Sequence, residues 1–243
     1  MIIITGPGRS GTTAVANLYR HCGFDPGGEF DSRVDAGLED SDIFCLNEEI
    51  ANHLELPILR LPKTSGSLST IVGRVGPMLP GGLRTHLRSK WRMSKAMKVG
   101  RVQPPNIELR RTLPTALYDR CVDLSRRKTV VKDPQFLWTL PAWVASSAQL
   151  EGVVVCVRPF NAVLESRLSA GHINYSTADG FRQSVEMALG GTMQACIDNG
   201  VPFEVLRFPD FLSDNTIHSR LPRIRDLPFE RFEEARRRAF HAR

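Results

Sequence analysis

The chain has 243 residues, 42% of them hydrophobic and 24% charged, with a formal net charge of +6. This composition excludes a disordered or low-complexity chain and suits one sizeable globular core. No apolar run reaches the length of a membrane span, and the first residues lack the basic start of a secretory leader, so neither is expected.

Ile2 to Ile4 form a β-branched apolar run that predicts a buried strand. Gly6-Pro-Gly-Arg-Ser-Gly11 follows, and its glycines let the backbone curl so that several N–H groups face one point. Thr12 and Thr13 then open an apolar-periodic helix through Val15, Leu18 and Tyr19. Strand, loop and helix N-terminus together make an anion cradle. A phosphate or sulfate is expected at Gly8, Arg9, Ser10, Gly11, Thr12 and Thr13.

Breakers mark residues 22–31 as a loop, and the acidic stretch from Asp35 to Asp42 also reads as one. Leu46 to Leu54 predicts a short helix. The stretch 57–106 carries lysines and arginines from Arg60 to Arg101 and no Asp or Glu. It is rich in Gly and Pro, so it reads as an insertion or lid, with a helix near Leu83 to Met97. Its charge implies an anionic partner or a solvated basic segment. Glu108 to Arg127 reads as a helix kinked near Pro114.

Lys128 to Lys132 predicts a second strand, closed by Asp133-Pro134. A helix is expected from Leu140 to Ser147, with Pro141 in its first turn. Gly152 to Val157 is apolar throughout, as a central parallel strand should be. Helices follow over Asn161 to Ser169 and Ala178 to Asn199, the latter closed by Gly200. Phe203 to Phe208 predicts another strand and Phe229 to His241 a basic C-terminal helix. Strands alternating with helices argue for an α/β fold: a parallel, P-loop-like sheet with helices on both faces, in a single domain over 1–243. Cys22, Cys45, Cys121, Cys156 and Cys196 are scattered, odd in number and without a C-x-x-C pair. They predict reduced thiols, no metal site and a cytoplasmic protein. The six histidines show no ligand spacing.

Gly6-x-x-x-x-Gly11 has the spacing of a nucleotide-triphosphatase loop, but Thr12 stands where that loop has Lys. The cation is Arg9, inside the loop. A second constellation lies at Arg158, directly after the central strand, with Ser166 eight residues on. Arg offers a planar fork suited to phosphate and Ser a hydroxyl. Both can converge beyond the C-terminal edge of a parallel sheet, where ligands bind in such folds.

Pro7-Gly-Arg-Ser-Gly-Thr-Thr13 resembles the phosphosulfate-binding loop of sulfotransferases that use PAPS, 3'-phosphoadenosine 5'-phosphosulfate. Val157-Arg-Pro-Phe-Asn-Ala-Val-Leu-Glu-Ser-Arg167 resembles that family's site for the 3'-phosphate. Val130-Val-Lys-Asp-Pro134 and Glu204 to Leu212 echo further strands of bacterial members, although Pro209 replaces an acidic residue. The Gly-rich C-terminal loop of cytosolic animal members is missing, leaving Arg220, Arg223 or Arg225 as candidate substitutes. The resemblance does not cover 57–106.

The resemblance implies sulfuryl transfer from PAPS to a hydroxyl or amine, with PAP, the desulfated cofactor, as product. Gly8 to Thr13 would hold the 5' side, and Arg158 and Ser166 the 3'-phosphate. Arg9 and Lys132 would stabilise charge on the leaving phosphate, and no metal is required. Glu29, after the first helix, is the expected base, with Glu39, Asp31 and Asp133 as alternatives. The acceptor is expected to be a small molecule or carbohydrate, an anionic one included, and not a nucleic acid. Two other readings stand beside this one. A P-loop kinase would use magnesium and ATP, against Thr12 and the Arg158–Ser166 pair. A non-catalytic nucleotide- or polyanion-binding protein would show no turnover.

Overall fold

The computed structural model describes residues 1–27, 38–54, 56, 113–169 and 178–241. Glu29, Asp31 and the basic stretch 57–106 lie outside the described residues.

Four strands form one all-parallel sheet in the order β2-β1-β3-β4. They are β1 (Ile2–Thr5), β2 (Val130–Lys132), β3 (Gly152–Val157) and β4 (Phe203–Arg207). In register, Ile4 sits beside Lys132 on one side and Val154 on the other. The chain leaves β1 for β2 on one flank and returns to β3 on the other. The connections therefore diverge between β1 and β3, a switch point at whose C-terminal side ligands bind in such sheets.

Alternation along the strands sends side chains to two cores. Ile3, Val131, Val153 and Val155 face one cluster. It is completed by helices α2 (Ser41–His53), α3 (Thr115–Arg127) and α4 (Phe136–Ala145), through Ile43, Leu46, Leu124, Phe136 and Trp143. Ile2, Ile4, Val130, Val154 and Cys156 face the other cluster, covered by α1 (Thr12–His21) through Val15, Leu18 and Tyr19. Further along, α5 (Phe160–Ser169) and α6 (Ala178–Asp198) follow β3. After β4 come the one-turn helix α7 (Ile217–Arg220) and then α8 (Phe229–His241), whose Phe232 and Ala235 pack on the same cluster as α1. Each fully buried Ile, Val or Phe contributes roughly 1.5–3 kcal/mol, so strands apolar on both faces are held from both sides.

The β3, α5, α6 and α8 expectations match within a residue or so, and Gly200 takes a left-handed φ of 64° just past α6. Three expectations are corrected. The helix expected from Leu140 begins at Phe136, so Pro141 lies inside it rather than in its first turn. The buried, nearly all-apolar run 136–144 carries that helix through the proline, because tertiary burial outweighs the local penalty. The second strand is only three residues long. The acidic stretch near Asp42 is not all loop. Asp40 accepts from the backbone N–H groups of Asp42 and Ile43 through Oδ1, at 3.0 and 3.1 Å, and so caps α2.

Candidate functional site: an arginine cluster over a glycine loop

The loop between β1 and α1 leaves the C-terminal end of β1, beside that of β3. Gly6 has φ 149°, and a Cβ there would strike the Cys156 carbonyl of β3 and Ser10 Oγ. Only glycine lets the loop leave β1 so close to its neighbour. Arg9 itself adopts a left-handed φ of 78°, which a side chain rarely accepts. Such strain persists where the surroundings over-determine it, and it gathers at ligand-binding loops. Gly11 precedes α1, whose first turn has neither a side-chain cap nor an acidic residue. Its positive end is therefore left to whatever occupies the loop.

Two more arginines reach this loop from β3 and α5. Arg158 Nη1 donates to the Arg9 carbonyl at 3.3 Å, while its guanidinium lies 5.3 Å from the centre of the Phe208 ring. Arg9 Nε donates to Ser166 Oγ at 2.9 Å. The structure thus brings Arg9, Arg158 and Ser166 into direct contact. Arg167 approaches from the same helix. Its Nη2 lies 2.5 Å from where a Cβ on Gly8 would stand, so glycine makes room for it.

Arg167 is 7% exposed, and its Nε is buried without a hydrogen-bond partner among the described residues. Its guanidinium lies 4.7 Å from the centre of the Phe181 ring on α6. Burial, and then the charge of Arg9, lower its pKa to about 10. Among the described residues, the buried hydroxyls of Thr5 and Ser10 also have no partners. Among the described residues, no carboxylate pairs with Arg9, Arg158 or Arg167.

One strand away, β2 ends in a different arrangement. Lys132 is fully buried and forms an ion pair with Glu39, itself 1% exposed. Asp133 accepts from Asn47 Nδ2 at 2.9 Å and from the Gln135 N–H at 2.8 Å. Burial raises its pKa to about 7. The hydrogen bonds from Asn47 and Gln135 oppose that rise, and the neighbouring Glu39 adds to it. Asn47 Oδ1 in turn accepts from Thr139 Oγ1 at 2.7 Å and Trp143 Nε1 at 2.8 Å.

No family model, curated protein or solved structure matches this chain. The site therefore rests on its own geometry.

Of the sequence-derived candidates, Gly8 to Thr13, Arg158 and Ser166 gather around one loop, with Lys132 at the end of the strand beside it. Glu29 and Asp31 lie outside the described residues. Glu39 and Asp133 are not loop charges in water but buried partners of Lys132 and Asn47. Arg223 does not substitute for a C-terminal clamp: it pairs at 2.6 Å with Glu151, which precedes β3 at the opposite edge of the sheet. Arg220 is held by Glu204 and by Asp214, the latter at 2.8 Å. Arg167 and Asn47 escaped the sequence reading. The signal for Arg167 was available, since it follows the buried Val163 by four residues and so shares its helix face.

Proposed function

We propose that the chain is a PAPS-dependent sulfotransferase on a P-loop-like fold, moving a sulfuryl group to a hydroxyl or amine of a small-molecule or carbohydrate acceptor. The observation that carries this reading is the cluster of Arg9, Arg158 and Arg167 around a glycine loop, with no carboxylate paired to any of them among the described residues. Unbalanced cations, beside an Nε and hydroxyls that are buried without partners among the described residues, fit a ligand that carries several negative charges.

Gly8 to Thr13 would hold the 5' phosphosulfate side, through loop N–H groups and the positive end of α1. Arg158 and Ser166 would hold the 3'-phosphate. PAPS, when bound, supplies the activated sulfuryl group. Arg9 stabilises negative charge at the loop, and Lys132, oriented by Glu39, does so from the end of β2. Glu29 is the proposed base, resting on the motif resemblance. The described alternatives are already engaged, Glu39 by Lys132 and Asp133 by Asn47 and Gln135.

A thermal-shift comparison tests the reading. PAP without magnesium should raise the melting temperature more than ATP with magnesium does. At a hundredfold excess over the dissociation constant the stabilisation should reach roughly 2.7 kcal/mol. Equal or better protection by magnesium–ATP would move the assignment to a P-loop kinase. Binding of PAP without turnover on any acceptor would leave a non-catalytic nucleotide-binding protein.

A further inference from the structure

We propose that Arg167 is itself a ligand of the bound anion: a guanidinium kept buried and unneutralised beside Gly8, so that a phosphate or sulfate ester completes its coordination. This deepens the proposed function and rests on the loop being an anion site.

Three observations converge. Arg167 is more than nine-tenths buried, yet its Nε has no hydrogen-bond partner among the described residues. Its Nη2 lies beside the loop, 2.5 Å from where a Cβ on Gly8 would stand. Among the described residues, its guanidinium lies against the ring of Phe181, which attracts a cation but accepts no ordinary hydrogen bond from its N–H groups. A fully buried arginine ordinarily has a carboxylate, because an uncompensated buried charge is strongly destabilising. Here its charged neighbour is another arginine, Arg9, which makes the cost larger. A residue kept for packing alone would be better served by an apolar side chain of the same length. The arrangement makes sense if the missing anion arrives with the ligand.

Phe181 extends the consequence to α6. The ring that covers Arg167 belongs to a helix whose Val185 and Ala188 pack on Leu137 and Trp138 of α4. Arg167 thus lies between the loop and the docking surface of α6.

Arg167→Met separates a ligand role from a packing role, since methionine keeps the length and the contact with Phe181. In the ligand-free protein the variant should melt higher, by about 2–4 °C for each kcal/mol of relieved burial cost. Its affinity for PAP, measured by calorimetry, should fall about ten- to a hundredfold. Arg167→Lys keeps the charge but loses the fork, and should bind PAP with intermediate affinity. Inorganic pyrophosphate is the second probe. Wild type that binds pyrophosphate but not PAP, with binding lost in Arg167→Met, would end the PAPS reading and keep this inference. PAP binding that is equal in wild type, Arg167→Met and Arg167→Lys would end this inference and leave the PAPS reading standing. If neither anion binds wild type, both fall. If Arg167→Met does not fold, the affinity of Arg167→Lys decides: a loss supports the ligand role, and wild-type affinity overturns it.

Discussion

Two clusters of charge sit at the C-terminal edge of the same sheet, and they are built on opposite principles. At the end of β2 the buried polar groups already have partners: Lys132 forms an ion pair with Glu39, and Asp133 accepts hydrogen bonds from Asn47 and Gln135. At the ends of β1 and β3, three arginines crowd one loop, and none has a carboxylate partner among the described residues. A matched cluster is complete in the free protein, so its loss should appear first as instability, even where, as proposed for Lys132, it also serves the ligand. An unmatched cluster is incomplete, so its loss should appear in ligand affinity and should not destabilise the free protein.

The sharpest way to break this comparison is to remove one cation from each cluster. Lys132→Met leaves the Glu39 carboxylate buried without its counter-charge, which should cost about 3–5 kcal/mol in urea unfolding. Adding Glu39→Gln should restore a large part of that loss, because the stranded charge is gone. Arg9→Ala, by contrast, is exposed and should change stability by no more than about 0.5 kcal/mol. Similar losses at the two positions would mean that the clusters do not differ in kind.

The next effect is read in ligand binding. If Arg158 holds a 3'-phosphate, Arg158→Ala removes a charge-assisted contact worth roughly 1.5–3 kcal/mol. The loss should appear with PAP and vanish with AMP, which has no 3'-phosphate. Global damage would lower both affinities together, so the difference between ligands isolates the contact. An Arg158→Ala variant that loses PAP and AMP equally would detach this residue from the 3' side.

The unmatched cluster was largely legible in the sequence, and the matched one was not. A glycine loop at a strand–helix junction constrains its own backbone, so Gly6 to Thr13 could be placed without knowing what surrounds them. Arg158 follows from the end of an apolar strand, and Ser166 from helical spacing. Lys132–Glu39 and Asp133–Asn47 join residues 86 or more positions apart, and no local pattern announces such pairs. Glu39 and Asp40 looked like solvated loop charges because the chain around them is acidic. Their burial follows from α2 docking on α3 and α4, which is a tertiary fact. Pro141 was misread for the same reason: burial of the run 136–144 extends the helix across a residue that local rules place near its start.

The smallest effect is also the most discriminating, and it concerns Ser166. Its hydroxyl accepts from Arg9 Nε at 2.9 Å in the ligand-free structure. Ser166→Ala therefore does two things: it removes a neutral donor from the bound anion, and it releases the Arg9 side chain in the free protein. Losing the donor should weaken PAP binding by ~1 kcal/mol, less than the loss for Arg158, since a neutral hydroxyl is the weaker partner. Releasing Arg9 should partly offset that loss, because no bond to Ser166 then has to break when Arg9 turns to a ligand. In an Arg9→Ala background the offset is gone, so the cost of Ser166→Ala should be larger there than in wild type. A double-mutant cycle measured with PAP would show this as a coupling between the two residues. Arg9→Ala alone should weaken PAP and AMP alike, because it serves the loop and not the 3' side. Strictly additive losses would mean that the Arg9–Ser166 bond plays no part in ligand binding, and the two halves of the arginine cluster would then act independently.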